Sequence, residues 1–203
     1  MGVNAEMHIE SLQRLMTQLC RLPGIGPRSA ERIAFYLLRC QKPEAMALAE
    51  AIRDVKERIH HCSVCYNLTE TDPCSICGDP RRDQGLLVVV EQPKDVLQME
   101  AAGLHEGVYH VLLGHIAPLE GVEPADLTID ALLARVRTGK VREVVLATNP
   151  TLEGDGTALH VHSLLADLGV AVSRLARGLP VGSQIEYATK AMLESAMRGR
   201  TSM

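Results

Sequence analysis

The chain has no tryptophan, one phenylalanine (Phe35) and four tyrosines. Holding single-stranded nucleic acid by stacked bases takes rows of aromatic rings, so this scarcity argues against that mode. Basic excess is missing too: 21 Lys and Arg stand against 25 Asp and Glu, a net charge of −4. Contact with a polyanion must then come from a local patch rather than a cationic body. No apolar run approaches bilayer-spanning length, and no basic-then-apolar leader opens the chain, so a soluble cytoplasmic protein is expected. Aliphatic residues are plentiful: hydrophobic residues fill 46% of 203 positions. That suffices for one or two domains with substantial cores.

Four of the six cysteines form Cys62-Ser-Val-Cys65 and Cys74-Ser-Ile-Cys77. Each Cys-x-x-Cys turn can aim two thiolates at one point, and two turns supply the four soft ligands of a tetrahedral zinc site. A redox pair or disulfides would use the same residues, but nothing else marks a secreted chain. Four protein ligands leave no open position, so the predicted zinc is structural, replacing a core that the Pro-, Asp- and Gly-rich loops around it cannot build. His60 and His61 are expected to be bystanders. Cys20 and Cys40, among apolar neighbours, are expected in the core.

Upstream, Ile9, Leu12, Leu15, Met16, Leu19 and Leu22 fall at helical spacing and predict a helix over 8–22. Leu22-Pro-Gly-Ile-Gly-Pro-Arg-Ser-Ala30 follows, where Pro23 stops that helix and Pro27 suits the first turn of the next. The second helix reaches about Arg39 and is expected to bury Ala30, Ile33, Ala34, Leu37 and Leu38. This is a helix-hairpin-helix pattern. Gly24 and Gly26 let the backbone approach a ligand, free N–H groups at the helix start face an anion, and Arg28 and Arg32 share one face. Together they predict a sequence-independent DNA clamp on phosphates; the alternative is a plain hairpin with solvated arginines. A third helix is predicted over 43–60.

After Gly85, strands and helices alternate: strands over 86–90, 108–113, 141–147 and 170–175, helices over 93–102, 128–138, 156–168 and 187–197. Such alternation predicts a mostly parallel sheet with helices on both faces and working residues at strand carboxyl ends. The loop 113–127 is long enough for an interaction surface, and the tail 198–203 is expected to be disordered. Glu91 ends the first strand, and Asn149-Pro-Thr-Leu-Glu153-Gly-Asp155 follows the third. These strings resemble the Toprim domain of topoisomerases and primases, whose Asp-Pro-Asp-Arg-Glu-Gly-Glu holds magnesium. Here Asn149 and Thr151 replace the two aspartates, which removes two charges from any magnesium cage. Glu91, Glu153 and Asp155 are therefore expected to dock a basic partner or hold a divalent ion weakly. The rival reading is a metal-dependent nuclease using Glu91 and Glu153.

The order of these pieces, with Tyr109-His-Val-Leu112 and Ala176-Arg-Gly-Leu-Pro-Val-Gly182, resembles the RecR family of bacterial recombination mediators from about His8 to Met197. The resemblance implies a multi-domain α/β chain: a helical domain (1–60), a four-cysteine zinc finger (61–84), a Toprim domain (85–175) and a C-terminal turn, helix and tail (176–203). It further implies a non-enzymatic DNA-repair protein that forms a homo-oligomeric ring or clamp. With RecO and RecF, such a protein helps load RecA at single-stranded gaps, RecO docking on the Toprim acidic surface. Thr189 and Lys190 stand where the family usually has an acidic pair, and His115 where glycine is common.

Overall fold

The computed structural model describes residues 9–103 and 105–200. The chain divides into two compact units, the first ending at Ile59 and the second beginning at His60.

The first unit holds α1 (Glu10–Leu19), α2 (Pro27–Arg39) and α3 (Lys42–Arg58). Ala30 and Ala34 are fully buried on α2, and their small side chains let α1 and α2 lie close together. Leu38, expected inside, is 65% exposed, because the apolar arc of α2 is wider than the stripe this small unit can cover. Leu48 and Ile52 of α3 are exposed for the same reason. Cys20 is also a correction: it caps α1 in an exposed position, whereas Cys40 is half-buried and its thiol donates to the Leu37 carbonyl at 3.3 Å.

The second unit opens on a short antiparallel hairpin, β1 (His60–His61) with β2 (Leu68–Thr69), which two-residue strands made illegible in the sequence. The main sheet holds β3 (Asp83–Val90), β4 (Gly107–Val111), β5 (Glu143–Leu146) and β6 (Ala171–Arg174) in the order β4-β3-β5-β6, every pair parallel. Alternation along the continuous apolar run of β3 divides the core in two. Leu87 and Val89 face α5 (Ile129–Arg137) and α6 (Leu152–Leu165), meeting Leu132, Val136, Val161 and Leu165. Val88 and Val90 face the other way, with Tyr109, Val111 and Val96 of α4 (Pro93–Ala102). Tyr66 and Ile76 of the cysteine segment pack on that second face, and the Val111 amide donates to the Cys65 carbonyl at 2.8 Å. The cysteine segment thus roofs the sheet rather than standing apart.

Local chemistry sets the helix starts. Gln92 and Asp95 form a capping box on α4, and the Thr151 hydroxyl accepts from the Gly154 amide at 3.1 Å to begin α6 four residues before the position expected from apolar spacing. The last helix, α7 (Lys190–Arg198), starts at its cap Thr189, three residues later than expected. Of the C-terminal tail, residues 201–203 lie outside the described residues, as does His8 at the start.

Candidate functional site

In the first unit the turn between α1 and α2 fulfils the requirements of its glycines differently. Gly24 has φ +79°, a left-handed conformation that side chains resist. Gly26 is extended, and a Cβ there would meet nothing within 4 Å, so its backbone stands open to solvent. Pro27 lacks an N–H, and the amides of Arg28 and Ser29 have no helical acceptor in this first turn. Arg28 and Arg32 are exposed one turn apart, and neither pairs with a carboxylate among the described residues. The arrangement presents backbone donors, the positive end of a helix and two guanidiniums to one region of solvent.

The four cysteines converge in the second unit. Their sulfurs lie within 4.8 Å of one another, with Cys65 and Cys74 at 3.6 Å. Zinc–sulfur bonds of about 2.3 Å in a tetrahedron place sulfurs about 3.8 Å apart, so the donor set fits zinc. Cys62, Cys65 and Cys74 are buried, and the Cys74 and Cys77 amides donate to Cys62 and Cys74 sulfurs at 3.3 and 3.5 Å. Burial pushes the Cys74 thiol up to about 11, so holding four thiolates together here takes a cation. His61 Nδ1 instead lies 3.0 Å from the Tyr66 carbonyl, and neither histidine joins the cysteine cluster.

The acidic residues gather at the carboxyl ends of β3 and β5. Strand order reverses between these two strands, the position where open parallel sheets form a crevice. Glu91 is 2% exposed. It accepts from the Asn149 amide at 2.8 Å and the Asn149 side-chain Nδ2 at 2.6 Å, with His115 Nδ1 at 3.3 Å. Gly154 makes this packing possible, since a Cβ there would come within 2.1 Å of the Asn149 carbonyl and 2.8 Å of Glu91 Oε1. Asp155 accepts from Arg174 at 2.6 Å and from Arg177 at 2.8 Å, and the two guanidiniums, Arg177 foremost, pull its carboxyl down to about 2. Glu153 alone of the three is exposed and has no ion pair among the described residues.

This donor set does not fit a divalent ion. Asn149 supplies hydrogen-bond donors where a metal cage needs anionic oxygens, and both charges of the arginine pair are spent on Asp155. Asn149, His115, Arg174 and Arg177 are the partners that sequence reasoning missed. The neutral Asn149 inside an otherwise acidic string was the one available signal.

Comparison with known proteins covers nearly the whole chain. The RecR helix-hairpin-helix family matches residues 12–56, the RecR four-cysteine zinc finger domain residues 59–79, and the Toprim domain residues 85–176. A recombination protein RecR of Rhodopirellula baltica is 53% identical over 95% of this chain and 97% of its own length. Those of Pelotomaculum thermopropionicum and Chloroflexus aurantiacus are 51% and 54% identical, over 98% and 92% of this chain and 99% and 92% of their own lengths. On that similarity the chain belongs to the RecR family of recombination proteins.

Proposed function

We propose that the protein is a non-enzymatic mediator of recombinational DNA repair, binding DNA without regard to sequence and acting with RecO and RecF to load RecA at single-stranded gaps. The observation that carries this reading is the pair of exposed guanidiniums of Arg28 and Arg32, unpaired among the described residues, beside the open Gly24–Gly26 turn. Two guanidiniums beside an open helix start suit phosphate oxygens, which are the same at every sequence. Two arginines on a chain of net charge −4 bind DNA weakly, and a homo-oligomeric dimer or ring strengthens the grip by effective concentration. Exposed Leu38, Leu48 and Ile52 on the helical unit support such self-association.

Structural zinc on Cys62, Cys65, Cys74 and Cys77 holds the finger against the sheet in this reading. Glu91, Glu153 and Asp155 mark the Toprim face for RecO, with Glu153 in direct contact and the other two holding the crevice in shape. The site gives the nuclease reading little support: of its two acids, Glu91 is buried and engaged by Asn149, which leaves Glu153 as the one free carboxylate of the pair. Repair at the nucleoid makes the cytoplasm the place of action, and no helix among the described residues is long and apolar enough to cross a membrane.

The test is RecA filament formation on gapped DNA coated with single-strand-binding protein. Adding this chain with RecO is expected to accelerate loading, with no strand cleavage in magnesium. Absence of acceleration, or cleavage that disappears in Glu91→Gln, overturns the reading.

A further inference from the structure

Two glycines lie in the first turns of α6, and only one is explained by the chain's own packing. Gly154 abuts the Asn149 carbonyl and Glu91. Gly156 has no such neighbour: a Cβ built there meets nothing within 4 Å. Glycine weakens a helix interior relative to alanine, so this position carries a cost with no return inside the molecule. What Gly156 does is leave a gap on the helix face between Leu152 and His160, one turn to either side.

That gap is the floor of a hollow of about 570 Å³ between α6 and the loop after β4. The loop is fixed in place. Ala117 and Val122 exchange two backbone hydrogen bonds at 3.0 and 3.1 Å, and the Ile116 amide donates to the Thr157 hydroxyl on α6 at 2.8 Å. Leu119 at its tip is fully exposed and Leu152 is 85% exposed, both turned to the hollow. Glu120, Glu123 and Glu153 stand around it, none in an ion pair among the described residues, and no Lys or Arg lines it. An apolar seat ringed by uncompensated carboxylates is complementary to an apolar side chain with cationic neighbours, and it repels a phosphate backbone.

We propose that this hollow seats an apolar anchor residue of a partner protein, carried on a segment whose flanking residues are Lys or Arg. The inference rests on the reading that the Toprim face docks a protein, and it moves the centre of that contact from the Glu91 crevice to the Leu119–Gly156–Leu152 hollow. Gly156 is the specificity-determining position, because any side chain there fills the seat.

A random 12-residue peptide library displayed on phage, panned on the full-length chain, tests this. Enriched peptides are expected to carry a Leu-, Ile- or Phe-type residue flanked by Lys or Arg. As synthetic peptides in fluorescence anisotropy, they should bind Gly156→Leu and Leu119→Ser at least tenfold more weakly than wild type. Zinc content and circular dichroism establish that both variants are folded. Peptides lacking that pattern, or binding both variants as well as wild type, overturn the proposal. Loss of binding in the triple variant E120K/E123K/E153K with no change in Gly156→Leu and Leu119→Ser sinks the hollow but leaves acidic docking standing. No change in any variant sinks both. Dissociation of the assembly by Gly156→Leu in light scattering identifies the occupant as a second copy of this chain and likewise overturns the proposal.

Discussion

Asn149 shows how one side chain converts a metal crevice into a hydrogen-bonded one. Its Nδ2 donates to Glu91 Oε2 at 2.6 Å, so a buried carboxylate is satisfied by an amide instead of a cation. Asn149→Asp sets two carboxylates face to face. It should lower stability by on the order of 2–4 kcal/mol in magnesium-free, chelator-free buffer, with partial recovery on adding magnesium. Thermal melts of wild type and variant with and without magnesium check this; wild type should show no magnesium response. His110 makes a second prediction. It is fully buried, its Nε2–H donates to the Thr128 carbonyl at 3.0 Å, and Nδ1 has no partner among the described residues. Burial lowers its pKa from 6.5 to about 4, with Arg135 nearby adding repulsion. The unfolded chain therefore binds more protons between those values. The stability is fully present above about pH 6.5 and is lost as pH falls toward 4, by about 3 kcal/mol. Cysteine protonation adds its own acid sensitivity, so the measurement is the difference between wild type and His110→Asn in melts from pH 7 to 4.5. The variant should lose less.

At the scale of elements, the two glycines of α6 should respond in opposite directions. Gly154→Ala drives a Cβ into the Asn149 carbonyl and should cost about 1–3 kcal/mol, whereas Gly156→Ala should stabilise by about 0.5–1 kcal/mol. Chemical denaturation of both variants decides it; equal effects would contradict the packing described. Elements were also where the sequence was most legible. The continuous run Leu86–Val90 announced a strand covered on both faces, and the Cys-x-x-Cys pairs announced the convergence of four sulfurs, since both signals are local and periodic. The start of α6 was misplaced because the apolar spacing begins only at Ala158, while the true signal is one hydroxyl, Thr151, on the Gly154 amide. The partners of Glu91 and Asp155 were illegible for another reason. Asn149 lies 58 positions from Glu91, and Arg174 and Arg177 lie 19 and 22 positions from Asp155. Only strand order and register bring them together, and neither is written in local patterning.

For the whole molecule, the acidic balance of the chain and the exposed arginines of one helix start pull in opposite directions. The net charge of −4 discourages diffuse binding to DNA, so in the proposed reading affinity is expected to arise where Arg28 and Arg32 meet phosphates and to multiply with copies. The most direct measurement is the affinity for duplex and gapped DNA of unrelated sequences as a function of salt, for wild type and the double variant Arg28→Ala/Arg32→Ala. Wild type should bind all sequences alike, with log K falling linearly in log salt. The double variant should bind at least tenfold more weakly, with the slope reduced by roughly 2 per engaged subunit, at unchanged zinc content and helicity. An unchanged affinity and slope in a folded double variant would contradict the account.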